Sequence, residues 1–179
     1  MNDYSKTAAL MARGAEFLGC EYAILCGAMS WVSERNLVSA ISNAGGFGVI
    51  ACGAMTPELL DAEIAATKEL TSKPFGVNLI TMHPQLMDLI AVCGRHDVGH
   101  VVLAGGIPPK GSVEAIKAFG AKVIVFAPTI ALAKKLLRSG GDALVIEGME
   151  AGGHIGPVAT GVLAQEFLPV LAEQHLVFL

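Results

Sequence analysis

Short apolar runs recur along the chain, each followed by a stretch in which apolar residues return at helical spacing. The runs are YAILCG (22–27), FGVI (47–50), FGVNLI (75–80), VGHVVLA (98–104), KVIVFA (122–127) and ALVIEG (143–148). They are continuous rather than alternating, the pattern of strands covered on both faces. Between them the sequence predicts helices over 33–43 behind Ser33 as cap, from Thr56-Pro57-Glu58, from Pro84, behind Ser112 as cap, from Pro128 to the Lys134, Lys135 and Arg138 cluster, and over about 160–173. Thr56-Pro57-Glu58 is the strongest of these starts: a capping hydroxyl, a proline at the first helical position and an acid in the first turn.

Regular strand–helix alternation argues a parallel sheet with right-handed crossovers. No linker or low-complexity tract divides residues 1–179, so they form a single domain. Two α/β architectures compete. A doubly wound nucleotide-binding sheet needs GxGxxG after its first strand or a P-loop, and neither occurs; GGIPPKGS (105–112) puts its lysine before the glycine. A TIM (β/α)8 barrel instead concentrates polar and glycine-rich residues just after its strands. Cys26 to Met29, Asn78, Gly105-Gly106 and Glu147 through Gly156 fall at or just beyond strand ends. The fold expected is an α/β barrel of six strand–helix units.

Composition narrows the function. The 179 residues are 53% hydrophobic and 16% charged, against roughly 25% charged in an average soluble domain, which again calls for strands buried on both faces. A net charge of −4, no basic run and 6% aromatic residues leave no footprint for a nucleic-acid partner. The opening MNDYSKTAALMARG lacks the order of a signal peptide, and the longest apolar stretch, Val123 to Ala133, is broken by Pro128, so no membrane span is expected and the protein reads as cytoplasmic. Cys20, Cys26, Cys52 and Cys93 form no CxxC pair and have no histidine at ligand spacing; they read as buried thiols, with no metal site.

The segment richest in chemistry is EGMEAGGHIGP (147–157). Glycine lets backbone approach a planar ligand closely, and four glycines surround His154, a residue suited to proton transfer near neutral pH. An ordinary flexible turn with a surface histidine is the equal alternative on composition alone. Gly27-Ala28-Met29 could line an aromatic ring or simply turn strand into helix. Asn78, an amide inside an apolar run, needs buried partners that either a ligand or a neighbouring loop could supply, and Glu147 at the end of another apolar strand invites the same comparison. His83, His96, His100 and His175 read as structural or solvated.

Taken together, CGAMSWVS (26–33), SNAGGFGVI (42–50), KPFGVNL (73–79) and EGMEAGGHIG (147–156) resemble the nitronate monooxygenase family, which includes the 2-nitropropane dioxygenases and the related FMN-dependent enoyl-ACP reductases. The resemblance runs along nearly the whole chain in the right order and spacing. It implies an FMN-binding TIM barrel in which Gly27, Ala28 and Met29 lie beside the flavin ring. It further implies that Asn78 and Glu147 contact the isoalloxazine, that Gly152 and Gly153 form the close-approach loop, and that His154 is the catalytic histidine. Cys26 stands where many members have Gln, and Ile155, as in the reductase branch, stands where members with monooxygenase activity often have Arg. The implied activity is oxidation of an alkyl nitronate with O2. The alternative is reduction of an enoyl thioester, with NAD(P)H as hydride source.

The chain stops at HLVFL, where a seventh strand becomes legible, whereas a full barrel takes about 250 residues. The family's phosphate-binding segment, a glycine-rich stretch and a Gly-Thr pair, is not found. The expectation is therefore a C-terminally truncated barrel that binds FMN poorly or not at all by itself and exposes pairing edges that a partner or a homo-oligomer could cover. An inactive relative kept as an interaction module is the non-enzyme alternative.

Overall fold

The computed structural model describes residues 5–179. In chain order its elements are α1 (Ser5–Leu18), α2 (Arg35–Asn43), β1 (Gly48–Ala51), α3 (Pro57–Leu70), β2 (Phe75–Ile80), α4 (Leu86–Arg95), β3 (His100–Ala104), α5 (Ser112–Ala118), β4 (Lys122–Phe126), α6 (Ile130–Arg138), β5 (Ala143–Val145), α7 (Thr160–Leu171) and β6 (Leu176–Phe178). The six strands form one sheet in sequential order, every neighbouring pair parallel. A doubly wound sheet would reverse its strand order at a switch point. No reversal occurs, and this is the topology of a barrel that is not closed.

The segment expected as a strand over 22–27 contributes only one parallel bridge, Leu25 to Phe47, ahead of β1. It has a neighbour on one side only, and its preceding N–H groups go elsewhere: Glu21 and Tyr22 both donate to Gly45 O, and Ile24 to Tyr22 O. At the other end, residues 176–178 do pair, as β6. Counting the bridge, seven strand positions follow one another in chain order.

Two apolar clusters occupy the two faces of this sheet. The outer one joins Ile50, Val77, Leu79, Val101, Leu103, Val123, Val125 and Leu144 to helical residues such as Leu60, Ile64, Leu89, Ile116 and Phe167. The inner one gathers Phe47, Val49, Val102, Ile124, Ala143 and Phe178 around Leu18 of α1. Full burial of one such side chain contributes about 1.5–3 kcal/mol. The continuous apolar runs exist because both faces are dry.

Helix starts follow local chemistry. Thr56 and Thr129 cap α3 and α6, each Oγ1 accepting an N–H 3.3 Å away. Two expected caps move by one residue. Glu34, not Ser33, caps α2, its carboxylate accepting from the N–H groups of Asn36 and Leu37. Gly111, at φ +90, holds the position before α5, and Ser112 is already helical, its Oγ donating to Pro109 O. The helices are cross-tied by Arg35 of α2, whose guanidinium meets the buried Glu63 of α3 at 2.6 Å.

Helix α1, which the sequence pattern did not suggest, closes the floor of the barrel. Its Gly14 sits so tightly that an added Cβ would lie 2.7 Å from Ala23 Cβ and 3.3 Å from Phe178 Cε1. Arg13 donates to Ala172 O and His175 O, beyond α7. At the helix's other end Phe17 O accepts from Lys122 Nζ and lies 2.9 Å from His100 Nε2. A cavity of about 380 Å³ opens beside this floor, lined by Lys68, Lys73, His100 and Lys122 among others, at the amino ends of the strands. Among the described residues no helix is long and apolar enough to cross a membrane.

His100 yields a pH prediction. Its ring is 7% exposed and packs edge-on against Phe17 and Phe47, and Nδ1 is buried without a partner among the described residues. Burial holds its pKa below the usual imidazole value; the bond to Phe17 O opposes this, Lys122 reinforces it and Asp142 opposes it. The folded chain therefore keeps His100 neutral, while the unfolded chain takes up a proton below about pH 6.5. Stability is thus lost as pH falls from that point toward the lower folded-state pKa, by at most about 1.4 kcal/mol per pH unit for one proton. Urea midpoints measured from pH 7.5 to 5 should fall more steeply for the native chain than for His100→Gln. Parallel slopes would contradict this.

Candidate active site

The carboxyl ends of parallel strands carry the working loops of barrels, because successive strands deliver their loops to one rim. Four loops meet that rim here: residues 26–34 beyond the Leu25 bridge, the segment after β2, the Gly105-Gly106 turn after β3, and residues 146–159 after β5.

Asn78 lies inside β2, paired in register with Ala51 of β1 and Val102 of β3. Val77 and Leu79 belong to the outer cluster and Val102 to the inner one, so alternation turns Asn78 inward. It is 5% exposed, its main-chain carbonyl accepts from Cys52 N, and its side-chain amide makes no hydrogen bond to any described group. Of the two readings of this amide, satisfaction by a neighbouring loop is therefore not the one found. Directly after the end of β2, Thr81 Oγ1 donates to Gly105 O at 2.8 Å and ties two rim loops together.

The 146–159 loop is closed at its base by backbone. Gly156 N donates to Gly148 O at 3.0 Å and Met149 N to Val158 O at 2.9 Å. Glu150 Oε2 accepts from Thr160 N at 2.8 Å and from Thr160 Oγ1 at 2.9 Å, which caps α7 from within the loop. Two glycines make the closure possible. A Cβ on Gly156 would fall 1.7 Å from Glu147 O, and one on Gly148 would fall 2.2 Å from Thr160 Oγ1. At the tip the situation reverses: a Cβ on Gly152 or Gly153 would meet nothing within 4 Å. Gly27, across the rim, borders the same kind of open space.

His154 is exposed on this tip. Glu147 follows Ile146, which belongs to the outer cluster, so it turns to the inner side. Partial burial raises the Glu147 pKa, and His154 opposes that rise. The fold thus sets Gly27–Met29, Asn78, Glu147, Gly152, Gly153 and His154 at the carboxyl ends of the strands, with no hydrogen bond or ion pair joining Glu147 to His154 among the described residues. No hydrogen bond among the described residues joins the 27–29 loop to the 152–154 loop.

The remaining histidines have local work. His83 Nδ1 accepts from Gln85 N at the start of α4, His96 Nε2 lies 3.0 Å from Asp61, His100 supports the floor, and His175 O accepts from Arg13. Burial pushes the Cys52 and Cys93 thiols up to about 12, so both stay protonated at neutral pH. Among the described residues no group of three or more His, Cys, Asp or Glu could hold a metal ion.

Sequence reasoning passed over Ser33, Thr81, Glu150 and Thr160 as parts of the site. Each acts by fixing a loop, through a partner whose distance in sequence follows no motif. The rim is also apolar: Met29, Trp31, Val32, Met82, Ile107, Met149, Ile155 and Val158 are all substantially exposed there.

The residues present fit a flat, partly polar ring. There is an inward amide without a hydrogen-bond partner among the described residues, and glycine backbone bordering open space at Gly27, Gly152 and Gly153. Comparison with known proteins points the same way. A model of the nitronate monooxygenase family matches residues 12–100 and 90–175. The chain is 37% identical over 158 residues to "(3aS,4S,5R,7aS)-5-hydroxy-7a-methyl-1-oxo-octahydro-1H-indene-4-carboxyl-CoA dehydrogenase" of Mycobacterium tuberculosis, covering 88% of this chain and 44% of that one. It is 30% identical over 182 residues to a nitronate monooxygenase of Pseudomonas aeruginosa, covering 80% and 52%. Among solved structures, FabK from Thermotoga maritima superposes with a TM-score of 0.81 at 41% identity, over 86% of this chain and 49% of that one. The chain spans about half the length of these relatives.

Proposed function

Because the chain belongs to the nitronate monooxygenase family, we propose that its rim holds FMN and serves an oxidoreductase acting on an apolar, thioester-linked substrate. The observation that supports the flavin reading is the inward Asn78 amide, without a hydrogen-bond partner among the described residues, together with open space beside Gly27, Gly152 and Gly153. FMN, when bound, supplies the two-electron chemistry, and the protein supplies orientation and electrostatics. Asn78 offers a donor and an acceptor to the polar edge of the ring. Gly152 and Gly153 let backbone lie against its face. His154 holds or delivers a proton at its imidazole, and Glu147 sets the charge beside it.

The thioester reading draws on the apolar rim, on Ile155 directly after His154, and on the 37% identity to a dehydrogenase whose name specifies a carboxyl-CoA substrate. NAD(P)H would be the hydride source. Oxidation of an alkyl nitronate with O2 is the second reading, favoured by the family model and by the Pseudomonas relative.

The test is titration of the purified chain with FMN, followed by quenching of flavin fluorescence. A saturable isotherm is expected, with Kd of roughly ten micromolar, about −7 kcal/mol. A signal identical to free FMN throughout would sink the flavin reading. Turnover assays with an enoyl thioester plus NAD(P)H, and with an alkyl nitronate plus O2, then separate the two substrates.

A further inference from the structure

Ser33 is 1% exposed and stands between the 26–34 loop and β1. Its main chain is strapped on both sides: Ser33 N donates to Met29 O at 2.8 Å, and Ala51 N, at the end of β1, donates to Ser33 O at 2.9 Å. Its hydroxyl reaches back into the loop, donating to Gly27 O at 2.9 Å and accepting from Met29 N at 3.0 Å. These two bonds flank Ala28. The N–H and C=O of Ala28 and the N–H of Gly27 have no hydrogen-bond partner among the described residues. The loop thus turns its satisfied groups toward Ser33 and its unsatisfied ones toward solvent. Within the same turn Trp31 is held at φ +62, a left-handed conformation unfavourable for a non-glycine residue.

We infer that Ser33 is a positioning residue: its hydroxyl sets the Gly27–Met29 peptides and the Trp31 turn in the geometry that receives the flavin. The inference rests on the flavin reading above. Alanine at this position keeps the two main-chain bonds and removes the two side-chain ones, leaving Met29 N unpaired and Gly27 O with only the weak, 3.5 Å bond from Cys26 Sγ. The loop then has no side chain fixing it to the sheet.

Trp31 is the only tryptophan in the sequence and is 66% exposed, so it reports on this turn directly. The experiment compares the native chain with Ser33→Ala, Ser33→Thr and Ser33→Cys, each checked by thermal melting. Without FMN, Ser33→Ala should lower Trp31 fluorescence anisotropy and raise its quenching by acrylamide. With FMN, the same variant should bind about tenfold more weakly, about 1.4 kcal/mol. Thr restores the hydroxyl and should restore both readouts; Cys, a weaker donor of similar size, should fall between. Unchanged Trp31 signals in folded Ser33→Ala overturn the inference. So does equal loss in a folded Ser33→Thr. A native chain that takes up no FMN defeats the flavin reading alone; the loop-fixing claim is then judged by Trp31.

Discussion

A His154→Ala chain should bind FMN within about threefold of the native chain yet turn over its substrate roughly two to four orders of magnitude more slowly, the usual contribution of a positioned acid or base. The two halves of this expectation come from different parts of the loop. His154 sits at an open tip, beyond a base closed by main-chain bonds between Gly148 and Gly156 and by the Glu150–Thr160 clasp. Removing an exposed imidazole breaks none of those bonds, so Gly152 and Gly153 keep their places. What is lost is the group able to hold a proton beside Glu147. The measurement is single-turnover kinetics together with flavin titration, on one preparation. Turnover within threefold of the native chain would mean the proton is handled elsewhere. Loss of FMN along with turnover would mean that the imidazole is a binding group.

The second large effect is a contrast between two glycines four residues apart. Gly156→Ala places a methyl group where only 1.7 Å separates it from Glu147 O, and the neighbouring Gly156–Gly148 bond cannot survive the shift that must follow. Strain and the lost bond together should cost about 2–4 kcal/mol, read as a lower urea midpoint and as new protease cleavage within 147–159. Gly152→Ala meets nothing within 4 Å. Its stability should stay level or rise by up to about 1 kcal/mol through the unfolded chain. Its affinity for FMN should nonetheless drop, because the methyl group enters the space assigned to the ring. If Gly152→Ala binds flavin like the native chain, the ring lies elsewhere; if Gly156→Ala is as stable as the native chain, the loop is not closed as described.

The parts of this architecture legible in the sequence were those set by repetition and by burial on two faces. Continuous apolar runs such as KVIVFA and FGVNLI had to be strands covered on both sides, and five of the six proposed runs are strands of the sheet. The sixth, YAILCG, has the right composition, but its backbone bonds to the Gly45 turn and leaves only Leu25 for pairing. Composition cannot register which neighbour a strand lacks. Helix α1 was hidden for a related reason: only Gly14 and Leu18 of it are buried, so no apolar stripe marks it, and the glycine that weakens it as a helix is required by contact with Ala23 and Phe178. Within the site, glycine clustering pointed to residues 147–156. It could not distinguish Gly148 and Gly156, which close the loop, from Gly152 and Gly153, which open onto the rim. Nor could Ser33 be recognised as a staple, since a serine ahead of an apolar helix reads first as a cap.

The floor helix also sets a timetable for synthesis. Arg13 finds its acceptors at Ala172 and His175, more than 150 residues later on the ribosome's template, and Phe17 waits for His100 and Lys122. At about 5–20 residues per second, α1 emerges on the order of ten to thirty seconds before its last partners exist. Until Phe178 emerges, the inner cluster that Phe17 and Leu18 join stays incomplete.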